Sequence, residues 1–194
     1  MHGNNRTSEM IVQKAAAMFQ SDGYAAVNID AIFKEYNIDA QLILDLFENK
    51  AVMTLSIVAY IQDIFDKNIL IYAYDKTTPS PERLVRLHQA LEDYFAKNKG
   101  ACLFINFGIE QMHRNSMFTG PIWHYFSSLK NAYSAILEDQ YPFEEAQEIA
   151  DIFVANLQGA LIMARINGTI WSVQRLTKRF LQKLHANGTM TDSL

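Results

Sequence analysis

Glu110 and His113 stand three residues apart, the spacing at which two side chains on one helical face can begin a metal site. Such a site needs a second pair, and the chain has no other Glu-x-x-His, so no metal is expected. Cys102, the single cysteine, lies in the apolar segment ACLFINFGI with no base nearby; a buried thiol is expected there rather than a redox sensor. There is no phosphate loop, no serine nucleophile elbow and no CxxC pair. The chain therefore reads as no enzyme, and no cofactor is implied. The chemistry left is that of a cavity. His88, Phe104, Phe107, Met112, His113, Trp123, His124 and Tyr125 would give an aromatic, mostly apolar lining with a few polar groups, suited to a small apolar or aromatic ligand. Ordinary core packing accounts for the same residues, and patterning leaves both open.

These residues need a scaffold, and composition bounds it. The chain has 194 residues, 49% of them apolar and 20% charged, a globular balance with room for a sizeable core. Four prolines and eight glycines suit long helices better than many strands. No uninterrupted apolar run reaches about eighteen residues, and the opening MHGNNRTSE lacks a signal peptide's order; neither a membrane span nor a leader is expected. One cysteine fits a reducing cytoplasm.

The elements follow from periodicity and stop signals. Ile11, Ala15, Met18 and Phe19 mark one face of a first helix. A turn at Ser21-Asp22-Gly23 leads to a short helix opened by Asn28 and another opened by Asp39. Helix, turn, helix, tight turn, helix in about forty residues is the outline of a helix-turn-helix head. Asn49 caps a longer helix with a stripe from Met53 to Asn68, fading near residues 72–75. Ser80 as cap with Pro81 at the first position starts another, carrying Leu84, Leu87, His88, Leu91 and Phe95, and Gly100 stops it. Residues 101–109 are apolar all round; length allows a strand, and the helical neighbours favour a helix. After Gly120-Pro121 comes a face from Ile122 to Leu137, broken by Tyr141-Pro142. A helix over about residues 144–167 ends at Gly168, and a last one carries Val173, Leu176, Phe180 and Leu184. The expected fold is all-α, about nine helices, divided into a head (1–48), a larger helical body (49–186) and a flexible tail (187–194).

In this order and spacing the chain resembles the tetracycline-repressor (TetR) family of transcription regulators. Ala15, Ala16, Phe19, Gly23, Tyr24, Ile29, Ile32, Ile38, Phe47 and Lys50 match the family's head pattern. Gly100, Cys102, Leu103 and Asn106, with Leu157-Gln158-Gly159-Ala160-Leu161, resemble body segments of one subgroup. The resemblance implies an Ω-shaped homodimer whose third helix enters the major groove, with contacts drawn from Asn28, Ala40, Gln41, Leu42, Leu44, Asp45 and Lys50. It implies a ligand pocket in the body. It also implies dimer pairing through the last two long helices, here Ile152, Phe153, Leu157, Ala160, Val173, Leu176 and Phe180. Ligand binding would move the heads apart and release a palindromic operator.

Departures cluster where DNA would be touched. Leu42 stands where a hydroxyl residue is usual, Leu44 where a tyrosine donates to phosphate, and Asp45 and Leu46 replace an aromatic and a histidine. Leucine has no donor, and Asp45 repels phosphate. Gln41 retains the groups to read adenine, and Lys50 keeps a phosphate contact. Phe33 replaces a small alanine and Asn37 a turn glycine, which asparagine can mimic. Charge points the same way. Residues 1–55 hold four lysines and arginines against seven carboxylates, net −3 of the chain's −4, whereas DNA affinity rests on neutralising phosphates. Two functions fit: a ligand-responsive repressor, or a dimer of the same fold that has lost DNA binding and serves as a ligand sensor or partner of another regulator. The leucines of the third helix cannot all point into one core, which suits a protein-binding surface in the second case. A helical hydrophobe carrier would need a large cavity and no dimer.

Overall fold

The computed structural model describes residues 2–98, 100, 102–111 and 114–188, with the backbone alone for residues 2–6, 26, 33 and 185–188. Among these, ten α-helical segments and no strand occur: α1 His2–Ala26, α2 Ile29–Tyr36, α3 Ala40–Phe47, α4 Lys50–Phe65, α5 Ile71–Tyr74, α6 Ser80–Lys97, α7 Leu103–Gln111, α8 Thr119–Leu137, α9 Phe143–Asn167 and α10 Trp171–Gly188. A π-helical turn, Asp66–Leu70, joins α4 to α5. With that interrupted segment taken as one helix the count is nine, and the all-α expectation holds. Leu103–Gln111 forms helix α7, which decides this apolar segment for helix over strand.

The chain forms two compact units, residues 1–64 with 102–125, and residues 65–101 with 126–194. This division is not the one drawn at residue 48, because α7 packs on α1 and joins the first unit. Most of the expected tail, residues 189–194, lies outside the described residues.

In the first unit, α1 buries Ile11, Ala15 and Phe19. Its helical path breaks at Gly23, where φ is 81°, a value glycine reaches without the Cβ penalty. The caps fall where expected: Asn28 Oδ1 accepts from the Ala31 amide at 2.7 Å, Asp39 Oδ1 from Gln41 at 2.8 Å, and Asn49 Oδ1 from Val52 at 3.1 Å. Asn37 takes the left-handed position at φ 52°. On α3, Ile43 and Phe47 enter the core. Phe19, Tyr24, Phe107 and Phe118 form an aromatic cluster, with Tyr24 edge-on to Phe107 at 5.2 Å and to Phe118 at 5.6 Å.

The second unit is held by longer faces. Leu84, Leu87, Leu91 and Phe95 of α6 are buried, as are Tyr133 of α8, Phe153, Leu157 and Leu161 of α9, and Val173 of α10. Arg83 is buried as well; it donates to the Ala73 carbonyl at 2.7 Å and pairs with Asp139. Pro79, not Ser80, occupies the cap position of α6, and Ser80 lies inside the helix with no side-chain cap. Gly120 and Pro121 fall within the first turn of α8 instead of before it, a place where proline's missing amide costs nothing. Gly100 has φ 74°, and a Cβ there would stand 2.8 Å from the Ala164 Cβ, so both backbone and space demand glycine. Helix α9 is long and apolar enough, by length and composition alone, to cross a membrane, with mean hydropathy 1.5 over an 18-residue stretch. A buried core helix passes the same test, so this gives no reason to read a membrane span. The apolar residues of α9 lie on two sides: Phe153, Leu157, Leu161 and Ala164 are buried, whereas Ile152, Met163 and Ile166 are exposed.

Candidate functional site

The outer surface of α3 presents Gln41, Leu42, Leu44 and Asp45, all exposed, with Ala40 and Leu46 half-buried. Leu42 and Leu44 lie two positions apart and so leave the helix in different directions. The amide end of α3 would ordinarily attract an anion; here the Asp39 carboxylate already accepts from it. Gln41 Nε2 donates to Asp45 Oδ1 at 2.8 Å, so reading a base edge would require breaking that bond. Glu9, Asp22, Asp30, Glu35, Asp39, Asp45 and Glu48 are all exposed. Of the cations, Lys34 is exposed, while Lys14 sits 5.1 Å over the Tyr36 ring. Asn28 is occupied as a cap. The side chain of Phe33 lies outside the described residues.

Lys50 is half-buried. Its Nζ donates to the Tyr24 carbonyl at 2.5 Å and lies 4.0 Å over the Tyr24 ring. Burial lowers the ammonium's pKa, and the Glu110 carboxylate partly restores it. Glu110 Oε2 also accepts from the Ala25 amide at 3.1 Å. Spacing drew attention to Glu110 only as the start of a metal site that was not expected; its bond to Ala25 and its charge beside Lys50 are long-range contacts that spacing does not show. Among the described residues no three His, Cys, Asp or Glu side chains gather as a metal site.

The residues expected to line one cavity fall in both units. Phe104, Phe107 and Tyr125 are buried in the first. Phe104 and Tyr125 stack at 3.9 Å, and Cys102 Sγ lies 3.7 Å from Tyr125 Oη. Burial raises the Cys102 pKa. Trp123 is 61% exposed, the wrong side of its helix for a cavity wall. Met112 and His113 lie outside the described residues.

His88 belongs to the second unit, at 2% exposure. It stacks on Phe153 at 5.4 Å, with Tyr133 at 5.7 Å and Phe180 at 5.9 Å. Both its ring nitrogens and Tyr133 Oη lack a hydrogen-bond partner among the described residues. Burial alone pushes the imidazole pKa down to about 3. Buried polar atoms normally find partners, so this cluster is the polar feature a ligand would answer. Phe153 and Phe180 also line an open groove of about 750 Å³ between α9 and α10, floored by Ile149 and Ile152 and edged by Arg179 and Lys183. The two cations, four apart on one face, are legible in the sequence but carry meaning only beside this floor.

The residues expected at a dimer interface separate likewise. Ile152 is 55% exposed, Ala160, Leu176 and Phe180 are half-buried, and Phe153, Leu157 and Val173 are consumed by the protomer's own core. The exposed face of α9 is instead Ile152, Gly159, Met163 and Ile166, in helical phase with one another.

No protein-family model and no curated protein matches the sequence. Solved structures do match the fold. A TetR-family regulator from Agrobacterium tumefaciens aligns with a TM-score of 0.82 at 18% identity, covering 93% of this chain and 98% of its own. A TetR regulator from Legionella pneumophila gives 0.80 at 20%, covering 90% and 94%. One from Chloroflexus aurantiacus gives 0.80 at 19%, covering 95% and 97%. At such identities the likeness is one of fold: this chain has the all-α fold of TetR-type transcription regulators.

Proposed function

We propose that the protein is a homodimeric, ligand-responsive regulator of transcription, a cytoplasmic repressor without enzymatic activity. In this reading α3 enters the major groove of a palindromic operator and α9 and α10 pair with their copies. The observation that carries it is the first unit itself: three helices in helix-turn-helix order, opened by the Asn28 and Asp39 caps, within a fold matched over nine-tenths of the chain by TetR regulators. The α9 stripe of Ile152, Gly159, Met163 and Ile166 supports pairing, since an exposed apolar face in phase marks an interface. The buried, unsatisfied His88 and Tyr133 support a small ligand with an aromatic or apolar body and one polar group. Such a ligand would act by differential affinity for two head spacings.

The test is binding to duplexes covering the DNA beside its own gene at about 50 mM and about 200 mM salt. Binding that weakens steeply with salt, by a species of twice the chain mass, is the expected result. Absence of binding at the lower salt, with a dimer present, overturns operator recognition. A second reading would then hold: a dimer of the same fold acting as a ligand sensor or partner of another regulator. The surface of α3 favours it, because exposed Leu42 and Leu44 beside Asp45 suit a protein contact better than a phosphate.

A further inference from the structure

Lys50 would be a phosphate contact in the operator reading, yet one of its ammonium donors is already taken up by the chain's own backbone and the charge lies over an aromatic ring. The donor meets the Tyr24 carbonyl at 2.5 Å and the face of the Tyr24 ring at 4.0 Å. Tyr24 sits in a three-residue turn gripped from α7. Glu110 Oε2 accepts from the Ala25 amide at 3.1 Å, and Glu110 Oε1 lies where a Cβ on Gly23 would stand 2.8 Å away. Glycine at φ 81° is thus what lets the carboxylate approach. One helix turn away, Phe107 of the same α7 meets the Tyr24 ring edge-on at 5.2 Å. One short helix therefore holds the turn by its backbone and by its ring.

We propose that Glu110 is an autoinhibitory latch: its carboxylate clasps the Gly23–Ala25 turn, and the turn keeps Lys50 on the Tyr24 carbonyl, withdrawn from DNA phosphate. The proposal rests on the operator reading and deepens it, since it names what regulates the head. Any displacement of α7 that draws Glu110 off Ala25 frees the lysine and removes a nearby negative charge. Both changes favour a polyanion. Glu110 is a positioning residue here, acting through the turn and not by touching DNA.

The experiment compares the full-length protein with Glu110→Met, near in size but without an acceptor, on a generic 20-base-pair duplex across a salt series. Hydrogen exchange of the Ala25 amide is measured on both without DNA. The latch requires Ala25 exchange to speed up at least about tenfold. It also requires affinity to rise about three- to tenfold, with the log–log salt slope steeper by about 0.9, one recovered phosphate contact. The gain must vanish in Glu110→Met with Lys50→Met. Unchanged exchange, or equal or weaker affinity where the wild type binds, overturns the latch. If neither protein binds the duplex at low salt, the operator reading fails and so does inhibition by the latch; faster Ala25 exchange then leaves Glu110 as a clasp of the turn alone. Should Glu110→Met lose its cooperative melt, Glu110→Gln keeps an acceptor and removes the charge. With the clasp kept, Ala25 exchange must stay near the wild-type rate and affinity must rise less than about twofold; a three- to tenfold gain there would come from charge alone and overturns the latch.

Discussion

The first unit adds polar caps and a carboxylate clasp to a small aromatic core, whereas the second unit spreads long buried faces and encloses two ring groups that have no hydrogen-bond partner among the described residues. In the first unit, Asn28, Asp39 and Asn49 each satisfy an amide at a helix start, Glu110 holds Ala25, and Lys50 holds Tyr24. Eight-residue helices such as α2 and α3 cannot stand alone in water; burial of Ile32, Ile43 and Phe47 orders them, and each cap adds about 1 kcal/mol. In the second unit, α6, α9 and α10 run to 18 residues or more and bury whole faces. Their core holds His88 and Tyr133 without hydrogen-bond partners among the described residues, at a cost of the order of 1–3 kcal/mol per orphaned group. A region built on local polar contacts can be reset by moving one carboxylate. A region built on burial changes only when something fills or opens its core.

The largest effect that would sharpen this contrast is expected at Phe153, which packs on His88, Tyr133 and Phe180. Phe153→Ala should cost about 3–5 kcal/mol in chemical unfolding; a loss below about 1 kcal/mol would show that burial is not what holds this unit. Next comes the exposed stripe of α9. Ile166→Glu together with Met163→Glu should convert a dimer to a monomer in light scattering, weakening association at least about 30-fold, or ~2 kcal/mol. The same charges at Leu42 and Leu44 of α3 should leave the mass unchanged, and equal effects at both places would erase the distinction drawn between the two surfaces.

His88 provides a pH test. Its folded pKa, about 3, lies below the ordinary 6.5, so the unfolded chain binds the proton more readily. Stability is therefore full above about pH 6.5 and declines as pH falls toward 3, at roughly 1.4 kcal/mol per pH unit where only the unfolded state is protonated. His88→Phe should flatten that decline between pH 6 and 4 in thermal melts; an unaltered slope would show that the ring gains a partner in solution. The smallest effect belongs to the head. Asn28→Ala removes one cap and should cost about 1 kcal/mol, read as faster amide exchange in α2 with little change in the melting of the second unit.

Much of this was legible from residue order. Asn28, Asp39 and Asn49 are short acceptors placed just before apolar periodicity, and local chemistry settles their role. Gly100 and Gly168 stop helices for the same local reason, as their φ values of 74° and 69° bear out. Ser80 misled because a proline on either side offers two legitimate start positions. The cavity was not legible, since Phe104 and His88 carry the same apolar signature and fall in different units. The expected pairing face was not legible residue by residue: α9 has apolar residues on two sides, and periodicity cannot tell which side the chain's own core takes. Phe153 and Ile152 are adjacent and have opposite fates. The Glu110 contact spans 85 residues, and no spacing rule reaches that far.

Cys102, buried at 4% exposure with its thiol held protonated, carries one more implication. An alkylating reagent can modify it only during moments when the first unit breathes, because only a solvated thiolate attacks. Labelling speed would then follow how often that unit opens, and each opening would leave a covalent mark. The chain's lone sulfhydryl is in effect a built-in clock for this unit's excursions, legible by mass and needing no engineered probe.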